Sequence, residues 1–255
     1  MANALAITGA GRGIGRAIAL RMAHEGWAVA IGDINAESAV AVAAEITDAG
    51  GRANGAEVDV TDPQATARWV DNVDAELGGL TGAVANAGVM NVTPFLELAP
   101  EVWRRVMSVN LDGAFHFVQP AARKMAARGK GSIVIIASAS SRMPSVFTNV
   151  YNVSKTALHG LTRVMAIELG PMGIRVNAVS PGVVDTDMWT KIDLERGGLL
   201  GKAPGQLLRE QVERIPLRRL QQPDDVAKIC AYLLSDESDY MTGQNISYDG
   251  GLVMP

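Results

Sequence analysis

Cysteine is almost missing from this chain: one of 255 residues, Cys230, carries a thiol. A lone cysteine cannot build an internal disulfide framework, and such usage suits a reducing, cytoplasmic compartment. Its neighbours from 226 to 234 follow a helical apolar pattern, so Cys230 reads as a small core residue. The three histidines, His24, His116 and His159, lie within helical patterns and share no metal-ligand spacing, so no metal site is expected. Basic runs are also lacking. With 23 Lys and Arg against 27 Asp and Glu, the formal net charge is -4, which disfavours a nucleic-acid partner. No apolar run approaches the ~20 residues that span a bilayer, so no membrane partner is expected. The apolar start at 4–8 is too short, and too soon followed by glycines, to serve as a signal peptide. No linker and no internal repeat divides the chain.

What is present is alternation. Short apolar runs at 4–8, 28–33, 52–58, 82–85, 132–138, 175–180 and 244–248 read as strands. Between them, helical patterns cover about 13–26, 36–50, 63–77, 100–128, 149–170 and 223–235. That order predicts an α/β fold: one domain over 1–255, with a doubly wound parallel sheet of about seven strands and helices on both faces. The segment from about 185 to 216 breaks the rhythm. A long insertion with Met188, Trp189, Ile192, Leu199 and Leu200 is expected to act as a lid.

Two segments carry the chemistry. The first is Thr8-Gly9-Ala10-Gly11-Arg12-Gly13-Ile14-Gly15, between the first strand and the first helix. Glycines admit the close approach a pyrophosphate needs, and the helix N-terminus offers free N–H groups. The G-x-G-x-x-G pattern fails, since Arg16 stands at its last glycine; the spacing is T-G-x-x-x-G-x-G. Asp33, closing the second strand, can accept from the adenosine ribose hydroxyls and repel a 2′-phosphate. Two unit charges ~4 Å apart repel by roughly 4 kcal/mol at an effective dielectric of 20. Arg12 would attract that phosphate, but Asp33 holds the ribose position itself, so the cofactor is expected to be NAD. Asp59-Val60 and Asn86-Ala87-Gly88, at later strand ends, fit the same ligand, although Asp59 also reads as a turn former.

The second is Tyr151-Asn152-Val153-Ser154-Lys155, thirteen residues after Ser138. Tyr151 and Lys155 lie one helical turn apart on one face. A phenol with a pKa near 10 becomes a usable base when an ammonium and a cationic nicotinamide stand nearby. Ser138 would then hydrogen-bond the substrate oxygen.

Taken together, these residues resemble the short-chain dehydrogenase/reductase family over nearly the whole chain, with Met241 to Gln244 and Asp249-Gly250-Gly251 completing the match. The resemblance implies a tetrad of Asn110, Ser138, Tyr151 and Lys155, with Asn110 holding a water in a proton relay. It also implies that Pro181, Gly182, Val184 and Thr186 line the nicotinamide side, and that the chain forms a homotetramer through its long helices, 100–128 and 149–170. One departure is visible, Ala85 in place of the first asparagine of the family's Asn-Asn-Ala-Gly.

The lid is similar to the polyol and 2,3-butanediol (acetoin) branch of that family. The expected partner is a small alcohol or ketone, handled near Ser140, Ser145, Asn149, Met188 and Trp189. Trp189 either walls a pocket with Met188 and Met90 or fills space between lid and body. Arg142 either binds an acidic substrate group or is a solvated surface charge. Two alternatives accompany the dehydrogenase reading: an NADPH-dependent 3-oxoacyl thioester reductase and a nucleotide-binding regulator without catalysis.

Overall fold

Five residues of almost nothing but side-chain carbon, Ala4–Thr8, form an interior strand, β1, and each is buried. Such a strand needs cover on both faces, which parallel crossovers supply. A computed structural model describes residues 3–254. Its strands are β1 (Ala4–Thr8), β2 (Ala28–Asp33), β3 (Arg52–Glu57), β4 (Leu80–Ala85), β5 (Gly131–Ile136), β6 (Ile174–Pro181) and β7 (Asn245–Tyr248). They form one sheet in the order β3-β2-β1-β4-β5-β6-β7, every pairing parallel. Strand order reverses between β1 and β4, and a doubly wound sheet binds its ligand where that happens.

The helices are α1 (Gly13–His24), α2 (Ala36–Asp48), α3 (Pro63–Leu77), α4 (Pro100–Met107), α5 (Gly113–Ala126), α6 (Asn149–Leu169), α7 (Asp187–Leu199), α8 (Gln206–Arg214) and α9 (Pro223–Leu234). On one face, Trp69, Val70, Phe117, Val118 and Leu158 from α3, α5 and α6 cover the sheet. On the other, Ile18, Met22, Val42, Val226 and Cys230 from α1, α2 and α9 do so. Cys230 is fully buried, and burial pushes its thiol up, away from ionisation.

The structure departs from the sequence reading in two places. The helix expected over 100–128 is broken by a π-turn, Ser108–Asp112. At the restart of the helix, Gly113 sits where a Cβ would come within 2.6 Å of Val60 Cγ2, so the helix has to pack tightly there. The segment expected as a lid is not irregular but a pair of helices, α7 and α8. Asp193 joins them by accepting hydrogen bonds from the Gly205 and Leu208 amides. No helix among the described residues is long and apolar enough to cross a membrane, and no metal-binding cluster occurs among them.

Candidate active site

The glycine-rich loop stands at the crossover point. Gly9 has φ +64°, and a Cβ there would lie 2.7 Å from Ala87 Cα, so only glycine lets the β1 and β4 loops touch. Thr8, buried beneath, accepts from the Asn86 and Ala87 amides, and Asn86 Nδ2 donates to the carbonyls of Thr8 and Gly9. Helix α1 begins with no side-chain cap and no acid in its first turn. Its N-terminal N–H groups and positive dipole are thus left for an anion, which fits a dinucleotide pyrophosphate. Asp33 accepts from the Gly11 amide at 2.9 Å and from Asn35 N at 3.0 Å, which fixes its carboxylate at the rim of this cradle. Arg12 turns away from the loop and pairs with Asp187 of α7 at 2.9 Å, both side chains exposed. Asp59 spends one carboxylate oxygen on Thr61 N and Oγ1, the turn-forming alternative, while Val60 is buried.

At the mouth of the same crevice, Tyr151 and Lys155 project from α6, 8% and 4% exposed. Burial raises the Tyr151 phenol above its ordinary value, and a hydrogen bond from Ser138 pulls it back down. Lys155 donates to the Ile136 carbonyl at 2.7 Å, its Nζ 5.8 Å from the Tyr151 ring centre. Burial lowers its pKa to about 8. Ser138 follows β5 in extended conformation and accepts from Ser140 N at 3.1 Å. Asn110 lies in the π-turn, fully buried. Its side chain bonds Val89 through both amide atoms and donates to Ser154 Oγ. A Cβ on Gly88 would lie 3.4 Å from Asn110 Oδ1 and 3.5 Å from Lys155 Nζ, so the β4 loop, the π-turn and α6 converge there.

Beside Tyr151 and Ser138 opens a cavity of about 80 Å³. Ser140, Ser145, Met188 and Trp189, all expected near substrate, line it, as do Met90 and Gly182. Trp189 therefore walls the pocket. Ser140 Oγ is buried there without a hydrogen-bond partner among the described residues. Two expected residues are elsewhere. Arg142 is exposed and donates to Ser247 Oγ and the Asn245 carbonyl, bracing β7. Asn149 is spent on the Thr93 carbonyl, Asn91 Nδ2 and Val150 N. Arg142 is thus held by β7 and Asn149 by the loop at 91–93, whereas Ser140 and Ser145 of the same stretch face the cavity.

Pro181 ends β6 and Gly182 and Val184 follow it, where the Gln221 carboxamide accepts from Gly182 N and donates to the Tyr248 carbonyl. Thr186 lies beside Gly13, 3.5 Å from where a Cβ would stand, so the β6 loop reaches the glycine loop. Sequence reading missed Gln221, Asn91, Arg196 and Gln211. Gln221 and Asn91 act through backbone groups, for which a sequence carries no mark. Arg196 lies on α7 and Gln211 on α8, and both line the cavity.

The family described as Enoyl-(Acyl carrier protein) reductase matches residues 9–253. A short-chain dehydrogenase/reductase of Armillaria gallica is 38% identical over 97% of this chain and 94% of its own. The chain belongs to the short-chain dehydrogenase/reductase family. It is an oxidoreductase of CH–OH groups that uses a nicotinamide dinucleotide. Within the family, an L-2,3-butanediol dehydrogenase of Corynebacterium glutamicum is 36% identical, covering 99% of both chains. A cis-4-hydroxycyclohexanecarboxylate dehydrogenase of Sinomonas cyclohexanicum is 37% identical over 96% of this chain and 94% of its own. An NAD⁺-bound xylitol dehydrogenase superimposes with a TM-score of 0.94 at 32% identity, covering 98% of both chains. An actinorhodin polyketide ketoreductase with NADPH gives the same TM-score at 32% identity, over 98% of this chain and 97% of its own.

Proposed function

We propose that this dehydrogenase oxidises a secondary alcohol, a sugar alcohol or another vicinal diol, with NAD as hydride acceptor and Tyr151 as the acid–base group. The observation that carries the reading is the meeting of Tyr151 and Ser138 at a cavity that Gly182 and Val183, just after β6, also line. Bound NAD supplies an acceptor for the hydride that leaves the carbinol C–H bond. The chain's own residues handle the remaining proton. Tyr151, as the phenolate, takes it from the substrate hydroxyl as the C=O bond forms, so that two electrons leave as hydride and one proton is left on the phenol. Ser138 donates to the oxygen that carries the developing charge. Lys155 sets the electrostatics behind Tyr151, and Asn110 fixes the loop on which both depend. The orphan Ser140 hydroxyl, a few atoms from Ser138, is suited to a second substrate hydroxyl.

Asp33 supports NAD over NADP, since its carboxylate is already fixed at the cradle's rim and Arg12 is drawn off to Asp187. The butanediol and xylitol dehydrogenases support a small polar alcohol. The NADPH-bound ketoreductase favours the second reading, reduction of a 3-oxoacyl thioester. The apolar outer face of α6 supports a homotetramer.

The test is NADH formation over polyols, vicinal diols, hydroxy acids and simple secondary alcohols, with either cofactor. Turnover with NAD is expected, falling about 10²–10⁴-fold in Tyr151→Phe while calorimetry shows NAD still bound. Asp33→Ser is expected to shift preference toward NADP by tenfold or more. Turnover confined to oxoacyl thioesters and NADPH would replace the reading with its rival, and unimpaired Tyr151→Phe would remove Tyr151 from the chemistry.

A further inference from the structure

The lid brings a cation to the cavity with nothing to neutralise it. Arg196, on α7, is 9% exposed and lines the pocket beside Tyr151 and Ser138. Its Nε is buried without a hydrogen-bond partner among the described residues. A guanidinium cannot shed its charge as a lysine can, so burying it unpaired is expensive. The nearby acids are committed elsewhere. Asp187 pairs with Arg12, Glu195 with Lys191 and Glu210 with Lys202. Asp193 is used by the amides that begin α8, and Glu213 is exposed. The other charge acting on Arg196 is a second cation, Arg214, whose guanidinium reaches Met143 Sδ in the pocket wall. Arg196 and no acid thus line the cavity that holds the acid–base group, with Arg214 adding a second positive charge outside it. Met90, Met188, Trp189, Ile192 and Leu252 supply the apolar part of its wall.

We propose that Arg196 binds the carboxylate of a hydroxy acid, so that this dehydrogenase selects alcohols carrying an anion across the pocket from the reacting carbon. The inference rests on the reading of Tyr151 and Ser138 as the reaction centre. It keeps that centre and narrows the secondary alcohol to a hydroxy acid in place of a neutral diol. A guanidinium fork matches a carboxylate in two parallel hydrogen bonds, and a ligand anion supplies the partner the fold withholds. In a cavity of about 80 Å³, one planar monoanion fits this single fork better than a bulkier, more highly charged phosphate. The residue anticipated for this task in the sequence, Arg142, is spent on β7; the task falls instead to the lid.

Two measurements test it. The first compares 4-hydroxypentanoate and 4-hydroxycyclohexanecarboxylate with their methyl esters as substrates under NAD. An acid-over-ester preference of tenfold or more in kcat/KM is expected, carried by KM. Arg196→Gln should bring the ratio to within about twofold, and Arg196→Lys should restore part of it. The second needs no turnover: calorimetric binding of cyclohexanecarboxylate and cyclohexanecarboxamide to the NADH-loaded enzyme and to Arg196→Gln. Binding of the carboxylate at least tenfold tighter than the amide, lost in Arg196→Gln, supports the proposal even if every alcohol proves inert. In that case the reaction reading fails alone. Esters turned over as well as acids, or a carboxylate bound no better than its amide, would overturn the proposal and leave the dehydrogenase reading standing. Loss of the unpaired charge should raise, not lower, the thermal midpoint of the ligand-free enzyme, which a merely structural arginine would not do.

Discussion

Lys155 shows a function kept at a cost in stability. Its ammonium is buried, donates to Ile136 O, and has its pKa lowered from 10.5 to about 8. Below pH 8 both folded and unfolded chains carry the proton, and the folded state bears the full burden of a buried charge. Between pH 8 and 10.5 the folded chain has released the proton and the unfolded chain has not, so stability rises with pH across that window. A shift of this size corresponds to on the order of 3 kcal/mol, before the lost hydrogen bond is counted. Lys155→Met should therefore be the more stable protein at pH 7, inactive, with its advantage shrinking as pH climbs toward 10. Urea unfolding of both proteins at pH 7, 8.5 and 10 reads this directly; a constant difference across the series would show that the charge costs nothing. The residues of this site were legible because their types are rare together: a serine, a tyrosine and a lysine in register, and glycines at a strand end. What they touch was not legible, since Arg142 and Arg196 look alike in a sequence and only the fold sends one to β7 and the other to the cavity.

Elements were easiest to foresee where the sheet dictates them. Buried runs such as 133–136 and helices with a capping aspartate, as at Asp62 before α3, stand at or near the expected positions. Helices α7 and α8 were not foreseen in a segment rich in glycine, yet Gly197 lies within α7, where its pair with α8 packs. The π-turn at 108–112 is announced by no local pattern. The junction of α6, β6 and β7 yields a second pH dependence. His159, 8% exposed, meets Ser141 Oγ at 2.9 Å and receives Asn245 Nδ2, so it ties the turn after Ser138 to the sheet edge. Burial, then the charges of Arg142 and Arg163, lower its pKa from 6.5 to about 4. From pH 6.5 down to 4 the unfolded chain takes up a proton that the folded chain refuses, so this brace loses stability over that interval and none above it. His159→Gln should flatten the acid limb of a thermal-midpoint profile while lying below wild type at pH 7. Parallel profiles between pH 4 and 7 would mean that His159 titrates normally.

For the whole molecule the open question is what covers the outside of α6. Its inner face carries Tyr151, Lys155 and Leu158; its outer face carries Val153, Gly160, Val164 and Ile167, spaced by seven, four and three residues. The valines and the isoleucine are 45%, 54% and 77% exposed, an apolar stripe that one isolated protomer would leave in water. Midway along it, a Cβ built on Gly160 meets nothing within 4 Å, so this glycine answers to no packing need of its own chain. Glycine in a helix interior costs about 1 kcal/mol against a good helix former. That cost is accounted for if a second protomer's helix approaches closely at that point, as the homotetramer reading requires. Gly160→Leu separates the two accounts. A lone chain should accept it and gain helix stability, because the new side chain projects into open space. An assembly built on this face should lose its close approach, and light scattering should show the mass falling from about four times 26.8 kDa toward that of smaller species. Since α6 positions both Tyr151 and Lys155, the dissociated form should also lose activity on dilution. An unchanged mass for Gly160→Leu would move the interface to another face of the molecule.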